Sequence, residues 1–162
     1  MMRTIDDLED RAVLCFDCGE DMRPAHFGKM SCPLVYAHGC RGTLLAGNCR
    51  DTQYVLEMPD FPMFAVGTHP NAFGGWIITD VNVLIFLPGH LMHYVKVMLG
   101  DFIFADNDGV QLIPKDLVDE VLLRVGTTFE KENDEREKIA DDIPIDEVYR
   151  AFGVFNIFLR NR

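Results

Sequence analysis

Serine is almost missing from this chain. Ser31 is the only one in 162 residues, which leaves little room for a serine nucleophile, and no GxSxG elbow, Walker A loop, HExxH or GxGxxG occurs. Long apolar runs are missing too. The longest, residues 81–87, falls far short of the ~18 apolar residues a membrane-spanning helix needs and reads as a strand. No basic start leads into an apolar stretch of the secretory kind. Clustered Lys and Arg are lacking: 15 basic residues face 26 acidic ones, for a net charge of -11. That balance argues against a surface for nucleic acid, whose phosphates need basic clusters. The five cysteines, an odd number without an export signal, are expected as reduced thiols in the cytosol. Cys15 and Cys18 have CxxC spacing, but Cys32, Cys40 and Cys49 are too spread out to give the second close pair of a zinc site. Buried structural thiols are the simpler expectation.

What is present is ordinary for a globular protein: 48% apolar and 25% charged residues, enough for one domain over 1–162 with a core of its own. The charge is uneven. Residues 116–147 hold twelve Asp or Glu against four Lys or Arg, a net of -8, the pattern of a solvated helix face.

Hydrophobic patterning predicts strands over 12–16, 43–46, 63–66, 76–79, 81–87, 94–99, 102–105 and 110–113. A helical turn is expected at 5–8. Helices are expected over 25–38 (with Pro33 either kinking it or marking its true first turn), 52–57, 114–138 and 143–152. Gly39 has the place of a helix C-cap. Asn107-Asp108-Gly109 is a hairpin signal; with Asp106 it also resembles the opening of a calcium loop, but the later ligands are absent, and a turn is the better reading. The stripe Leu117, Val118, Val121, Leu122, Val125 gives the long helix one apolar face. Residues 154–159 are apolar for a terminus and read, within a tail over 154–162, as a docking segment. Strands outnumber helices, and the helices fall early and late, which predicts a layered α+β (β/β/α) domain.

Candidate chemistry gathers at two places. Arg50-Asp51 follows an apolar strand directly, so the pair stands at the rim of a sheet, where ligand sites of layered proteins lie. Taken alone, the pair reads as a loop salt bridge. Gly28, Lys29 and Met30 are expected at a helix N-terminal turn. Backbone amides there together with Arg50 would hold a carboxylate, and Asp51 a hard divalent ion such as Mg²⁺. Such a set suits a 2-keto acid held so that an enolate can form. His26, expected at the start of the helix, could face an anion there, but taken alone it reads as a capping or surface residue. His90 and His93 read as a packed or surface pair, since no carboxylate companion is evident.

Three ordered blocks carry a resemblance: G-C-R-G-T-L-L-A-G-N-C-R-D-T from Gly39, F-P-M-F-A-V-G-T-H-P from Phe61, and L-G-D-F-I-F-A-D-N-D-G-V-Q-L-I-P from Leu99, before an acidic helix. Over roughly residues 10–155 the chain resembles the RraA-like family, which includes the regulator of ribonuclease activity A and the class II 4-hydroxy-4-methyl-2-oxoglutarate aldolases. The resemblance implies a swivelling β/β/α fold, assembled as trimers or hexamers with sites between subunits. It implies that Asp51 holds the metal, Mg²⁺ or Mn²⁺, that Arg50 binds substrate, and that the loop Gly28, Lys29, Met30 binds the keto-acid carboxylate. It implies retro-aldol cleavage releasing pyruvate, and oxaloacetate decarboxylation. Three departures stand out. Tyr54 occupies a position where the aldolase pattern has an acidic residue, Lys29 one that is commonly acidic, and the chain starts close to its first strand, where members usually carry further elements.

Two functions therefore compete: a metal-dependent lyase on a small 2-keto acid, with Arg50 and Asp51 at its centre and a water held by Asp17 or Glu20 moving the proton, or a non-catalytic regulator whose acidic helix meets a basic partner. A methyltransferase, a label the family has often carried, would need a glycine-rich cofactor loop after the first strand, and none is there.

Overall fold

The structure, a computed structural model, describes residues 5, 8–19, 21–72, 75, 77–141 and 143–152. They divide into two compact units, Met1–Leu112 and Ile113–Arg162.

The first unit is built on one strand, β3 (Gly42–Cys49), the longest of the eight described. All its partners run parallel to it. β4 (Met63–Thr68) lies along one side. β1 (Val13–Phe16) pairs with Gly42–Leu45 and β2 (Ala25–Phe27) with Asn48 and Cys49, so these two short strands follow one another along the opposite side. Burial on both faces explains why β3 is apolar nearly throughout instead of alternating. Two clusters cover the sheet. One gathers Leu45 and Cys49 with Phe27, Val35, Val55 and Phe61, and so packs α1 (Ser31–Ala37) and α2 (Thr52–Leu56) on the sheet. The other gathers Leu44 and Ala46 with Leu87 and Val97 of the antiparallel pair β5 (Ile85–Pro88) and β6 (Tyr94–Val97). Neighbouring residues of β3 thus serve different clusters, as the two-residue period of a strand requires. β7 (Phe102–Asp106) and β8 (Gly109–Ile113) pair around the expected Asp-Gly turn, where the Asp108 amide donates to Asp106 Oδ1 at 2.9 Å.

The second unit holds a 3-10 turn at Lys115–Leu117, the long helix α3 (Val118–Ala140) and α4 (Ile145–Phe152). On α3, Leu122, Leu123, Val125 and Phe129 are exposed. Three i,i+4 ion pairs line the unit: Glu120–Arg124, Glu132–Arg136 and Asp146–Arg150. Among the described residues no helix is long and apolar enough to cross a membrane.

Four expectations need correction. Residues 25–38 are not one helix: Ala25–Phe27 joins the sheet, and the helix begins at Ser31. Pro33 then sits in the first turn, where a backbone N–H has no intrahelical acceptor, so the proline costs nothing there. Gly39, at φ 91°, does end this helix. The strand predicted over 43–46 does not stop at Gly47 but runs to Cys49. Gly47 is needed for closeness, because a Cβ there would lie 2.7 Å from His26 Nδ1 and 2.9 Å from Cys18 Sγ. Of the run 81–87, only the last part is strand: Asn82 is left-handed at φ 55°, and β6 offers just four residues to pair with. Likewise residues 77–79 form no strand, while Trp76 and the tail 154–162 lie outside the described residues.

Candidate functional site

β3 ends at Cys49, and the chain turns at once into α2. Asp51 makes that turn with φ 55° and ψ 33°, a left-handed conformation that aspartate tolerates better than most residues. Non-glycine residues held this way concentrate where a side chain must be aimed. Here the Asp51 carboxylate comes back against the β2–α1 loop. Its Oδ2 accepts the Lys29 backbone N–H at 3.3 Å and lies 3.6 Å from Arg50 Nε. Arg50 is tied to the same loop through its own N–H, donated to the Phe27 carbonyl at 2.9 Å. Two segments some twenty residues apart are therefore clamped at one rim of the sheet.

Gly28 makes the approach possible. A Cβ at this position would sit 2.8 Å from Arg50 Cγ and 2.9 Å from Asp51 Oδ2, closer than real contacts allow. Gly28 also closes the start of α1, its carbonyl accepting from the Ser31 and Cys32 amides, both at 3.0 Å. Met30 is the exposed N-cap residue. The amides of this loop are thus partly engaged: that of Lys29 serves Asp51.

The sequence brings out each of these residues and the Arg50–Asp51 pair, but not their contacts with the Gly28 loop or with Tyr54. The Lys29 ammonium lies over the Tyr54 ring, 4.3 Å from its centroid. Lys29 and Tyr54 are the two positions that depart from the aldolase pattern, and the fold sets them against each other. Helical spacing offers a partial signal, since Tyr54 stands three residues after Asp51 and so on its side of α2.

The Arg50 and Asp51 side chains are 38% and 30% exposed, and the rim is open. Two cavities lie in the first unit. One, about 590 Å³, runs beside α2 between Val55, Phe61 and Thr68. The other, about 420 Å³, is lined by Asp17, Ala46, Phe86, His93 and Tyr94. Arg50 and Asp51 line neither. Asp17 also accepts the Gly19 amide at 2.9 Å, and Glu20 lies outside the described residues.

His26 is in β2, not at a helix start, with its Nδ1 buried beside Gly47 and Cys18. His90 and His93 are exposed in the turn between β5 and β6. No group of three or more His, Cys, Asp or Glu side chains suited to a metal occurs among the described residues. All five cysteines are free thiols. Burial, and secondarily Cys40, pushes the Cys15 thiol up to about 11, and burial, with Asp17 second, does the same for Cys18. Thiols held protonated in this way are poor nucleophiles and poor metal ligands, which supports the structural role expected of the CxxC pair.

A clamped arginine-aspartate pair beyond a central parallel strand, facing a glycine loop, is set in a layered α+β fold. The RraA-like family model, described as Aldolase/RraA, matches residues 1–112, and the chain belongs to that family. The match ends with the first unit, whereas the sequence resemblance runs to about residue 155. A "Putative 4-hydroxy-4-methyl-2-oxoglutarate aldolase" of Pseudomonas putida is 32% identical over 105 residues, which are 65% of this chain and 61% of that protein. The chain thus spans about three fifths of the length of this relative. Among solved structures, an uncharacterised protein of Pseudomonas syringae superposes with a TM-score of 0.79 at 21% identity, covering 89% of this chain and 70% of the other. The RNA-processing inhibitor RraA of Thermus thermophilis superposes with a TM-score of 0.58 at 29% identity, covering 70% and 66%. The α+β fold read from the sequence is the RraA fold.

Proposed function

We propose that the chain is a lyase that cleaves a small 2-keto acid of the 4-hydroxy-4-methyl-2-oxoglutarate or oxaloacetate type and releases pyruvate, with Mg²⁺ or Mn²⁺ at Asp51. One observation carries this reading. The Arg50-Asp51 pair, the Gly28 loop and a left-handed Asp51 converge at one sheet rim, with Asp51 Oδ2 3.3 Å from the Lys29 amide. A simple surface ion pair needs neither the glycine nor the unusual backbone.

Arg50 is suited to grip the substrate carboxylate, because a guanidinium matches its two oxygens. Gly28 keeps the loop close enough for backbone and side chains to face one ligand. The donor set fits a hard cation within limits: Mg²⁺ is often held by one or two protein carboxylates, with water and substrate completing the shell, and Asp51 supplies one. When bound, the cation would polarise the keto oxygen and offset the charge of the developing enolate. The open rim suits a site completed by a second subunit of a trimer or hexamer, and five free thiols suit a reducing cytosol.

Pyruvate release from 4-hydroxy-4-methyl-2-oxoglutarate and from oxaloacetate, with Mg²⁺, is the test. Asp51→Ala is expected to lower the rate at least about a hundredfold, the scale of losing a group that acts on developing charge. Equal rates in wild type and variant would end this reading.

The second reading, a regulator that binds a basic protein, draws on the charged second unit. Its 116–147 stretch carries a net charge of -8. Under it, Asp51→Ala leaves binding intact, and binding weakens as salt rises.

A further inference from the structure

Three charged residues come together where β3 passes into α2, and two are positive. Asp51 is already engaged by Arg50 Nε at 3.6 Å and by the Lys29 amide at 3.3 Å. Lys29 adds an ammonium, placed 4.3 Å from the centre of the Tyr54 ring. A cation over an aromatic face is held by the ring's quadrupole, and Tyr54 is anchored to the same short helix that Asp51 begins. The tyrosine therefore holds the lysine head group on the α2 side of the rim, and it does not neutralise the ammonium as an acidic residue would. Arg50, Lys29 and Asp51 together carry a net charge of +1. No cluster of three possible metal-ligating side chains occurs among the described residues to offset this.

A divalent cation arriving alone meets two positive side chains and a single carboxylate that already has partners. A small dianion meets the reverse. We propose that the rim is an anion-first site. A 2-oxo carboxylate or its oxalate-like analogue binds Arg50 and Lys29 without metal, and a divalent cation joins only afterwards, using oxygens the anion brings. Lys29, positioned by Tyr54, sets this order. The inference rests on the reading of the site given under Proposed function, and it assigns Lys29 and Tyr54 a role there.

The experiment uses the full chain and two probes, oxalate by calorimetry in EDTA and Mn²⁺ by electron paramagnetic resonance, each alone and then together. Wild type is expected to bind oxalate in EDTA and to bind Mn²⁺ at least about tenfold more tightly with saturating oxalate than without, with the reciprocal gain for oxalate that linkage demands. Lys29→Gln should weaken metal-free oxalate about tenfold and tighten Mn²⁺ alone by a similar factor, the scale of removing one close charge at a partly screened surface. Lys29→Arg should restore wild-type order. Tyr54→Leu should shift both affinities in the direction of Lys29→Gln but only about threefold, as befits an exposed cation–π contact. Lys29 is exposed, so its replacement leaves the core untouched. Equal Mn²⁺ affinity with and without oxalate, or a Lys29→Gln variant that moves neither probe, overturns the inference. The keto-acid reading then still stands if Asp51→Ala abolishes pyruvate release. Failure of oxalate to bind under every condition also overturns the inference, and the keto-acid reading falls with it only if pyruvate release is the same in wild type and Asp51→Ala.

Discussion

Leu45 and Leu123 are the same side chain in opposite circumstances. Leu45, in the middle of β3, is 2% exposed, whereas Leu123, on α3, is 74% exposed. The contrast extends to the units that hold them. Met1–Leu112 contains both buried clusters and every contact of the candidate site. In the unit Ile113–Arg162, α3 has no buried residue, and its order comes from helical hydrogen bonding and from ion pairs one turn apart, each worth only about 0.3–0.5 kcal/mol. Precision at the rim depends on packing: Asp51 meets the Gly28 loop because paired strands hold that loop beside the end of β3. A solvated helix cannot offer that, and the family model stops where the packed unit stops.

The sharpest way to break this contrast is to truncate both leucines. Leu45→Ala is expected to cost about 3 kcal/mol, the usual range for a buried leucine, and Leu123→Ala less than about 0.5 kcal/mol. Urea denaturation measures both, and similar losses would show that the helical unit is as tightly packed as the sheet. A glycine pair comes next. Gly47→Ala forces a methyl against His26 and Cys18 and should destabilise by about 2 kcal/mol. Gly126→Ala meets nothing within 4 Å and should stabilise the helix by up to about 1 kcal/mol. The two midpoints should move in opposite directions, and movement in the same direction would refute the contrast.

Gly28→Ala separates the site from the fold around it. Displacing Arg50 and Asp51 by a few tenths of an ångström should lower pyruvate release about tenfold or more while shifting the unfolding midpoint less than Gly47→Ala does. The thiols sharpen the comparison through pH. Cys15 and Cys18 are held near 11 against an ordinary 9.0. Their protonated state therefore contributes stability in full below about pH 9, and that contribution is lost as pH rises from 9 to 11. Native protein at pH 8 should react slowly with a thiol reagent, and unfolding should release all five thiols. Five fast thiols in the native state would mean that this part of the sheet opens readily.

Much of this was legible from local pattern. The apolar run of β3, the charged pair after it and the Asp-Gly hairpin are signals carried by neighbouring residues. The failures share a different cause. Phe27, Met30 and Leu34 happen to fall near helical spacing, but Phe27 is claimed by a strand partner at Cys49, which no local rule can see. Gly47 looked like a stop because glycine often is one, while its actual role depends on Cys18 and His26. Residues 81–84 are apolar enough for a strand and find none to pair with among the described residues. At the site, Lys29 and Tyr54 were each visible as departures from a pattern, but their contact joins positions twenty-five apart and exists only once β2 and β3 lie side by side.

The register of β3 carries one more consequence, mechanical in kind. On one side, β1 pairs only as far as Leu45 and β2 begins at Asn48. On the other, the pairing with β4 also shifts between Leu45 and Asn48, so that three steps along β3 match two along its neighbour. Both ladders therefore skip at Ala46-Gly47, and one of the two residues there is a glycine. The central strand has a built-in weak point, with the half rooted in β1 on one side and the half that ends in Arg50-Asp51 on the other. The amides of Ala46 and Gly47 are expected to exchange with deuterium faster than those of Leu44 and Cys49; uniform protection along the strand would mean that it is stiff from end to end. If the skip yields, the rim can tilt as one piece when a ligand arrives, without disturbing the packing beneath it.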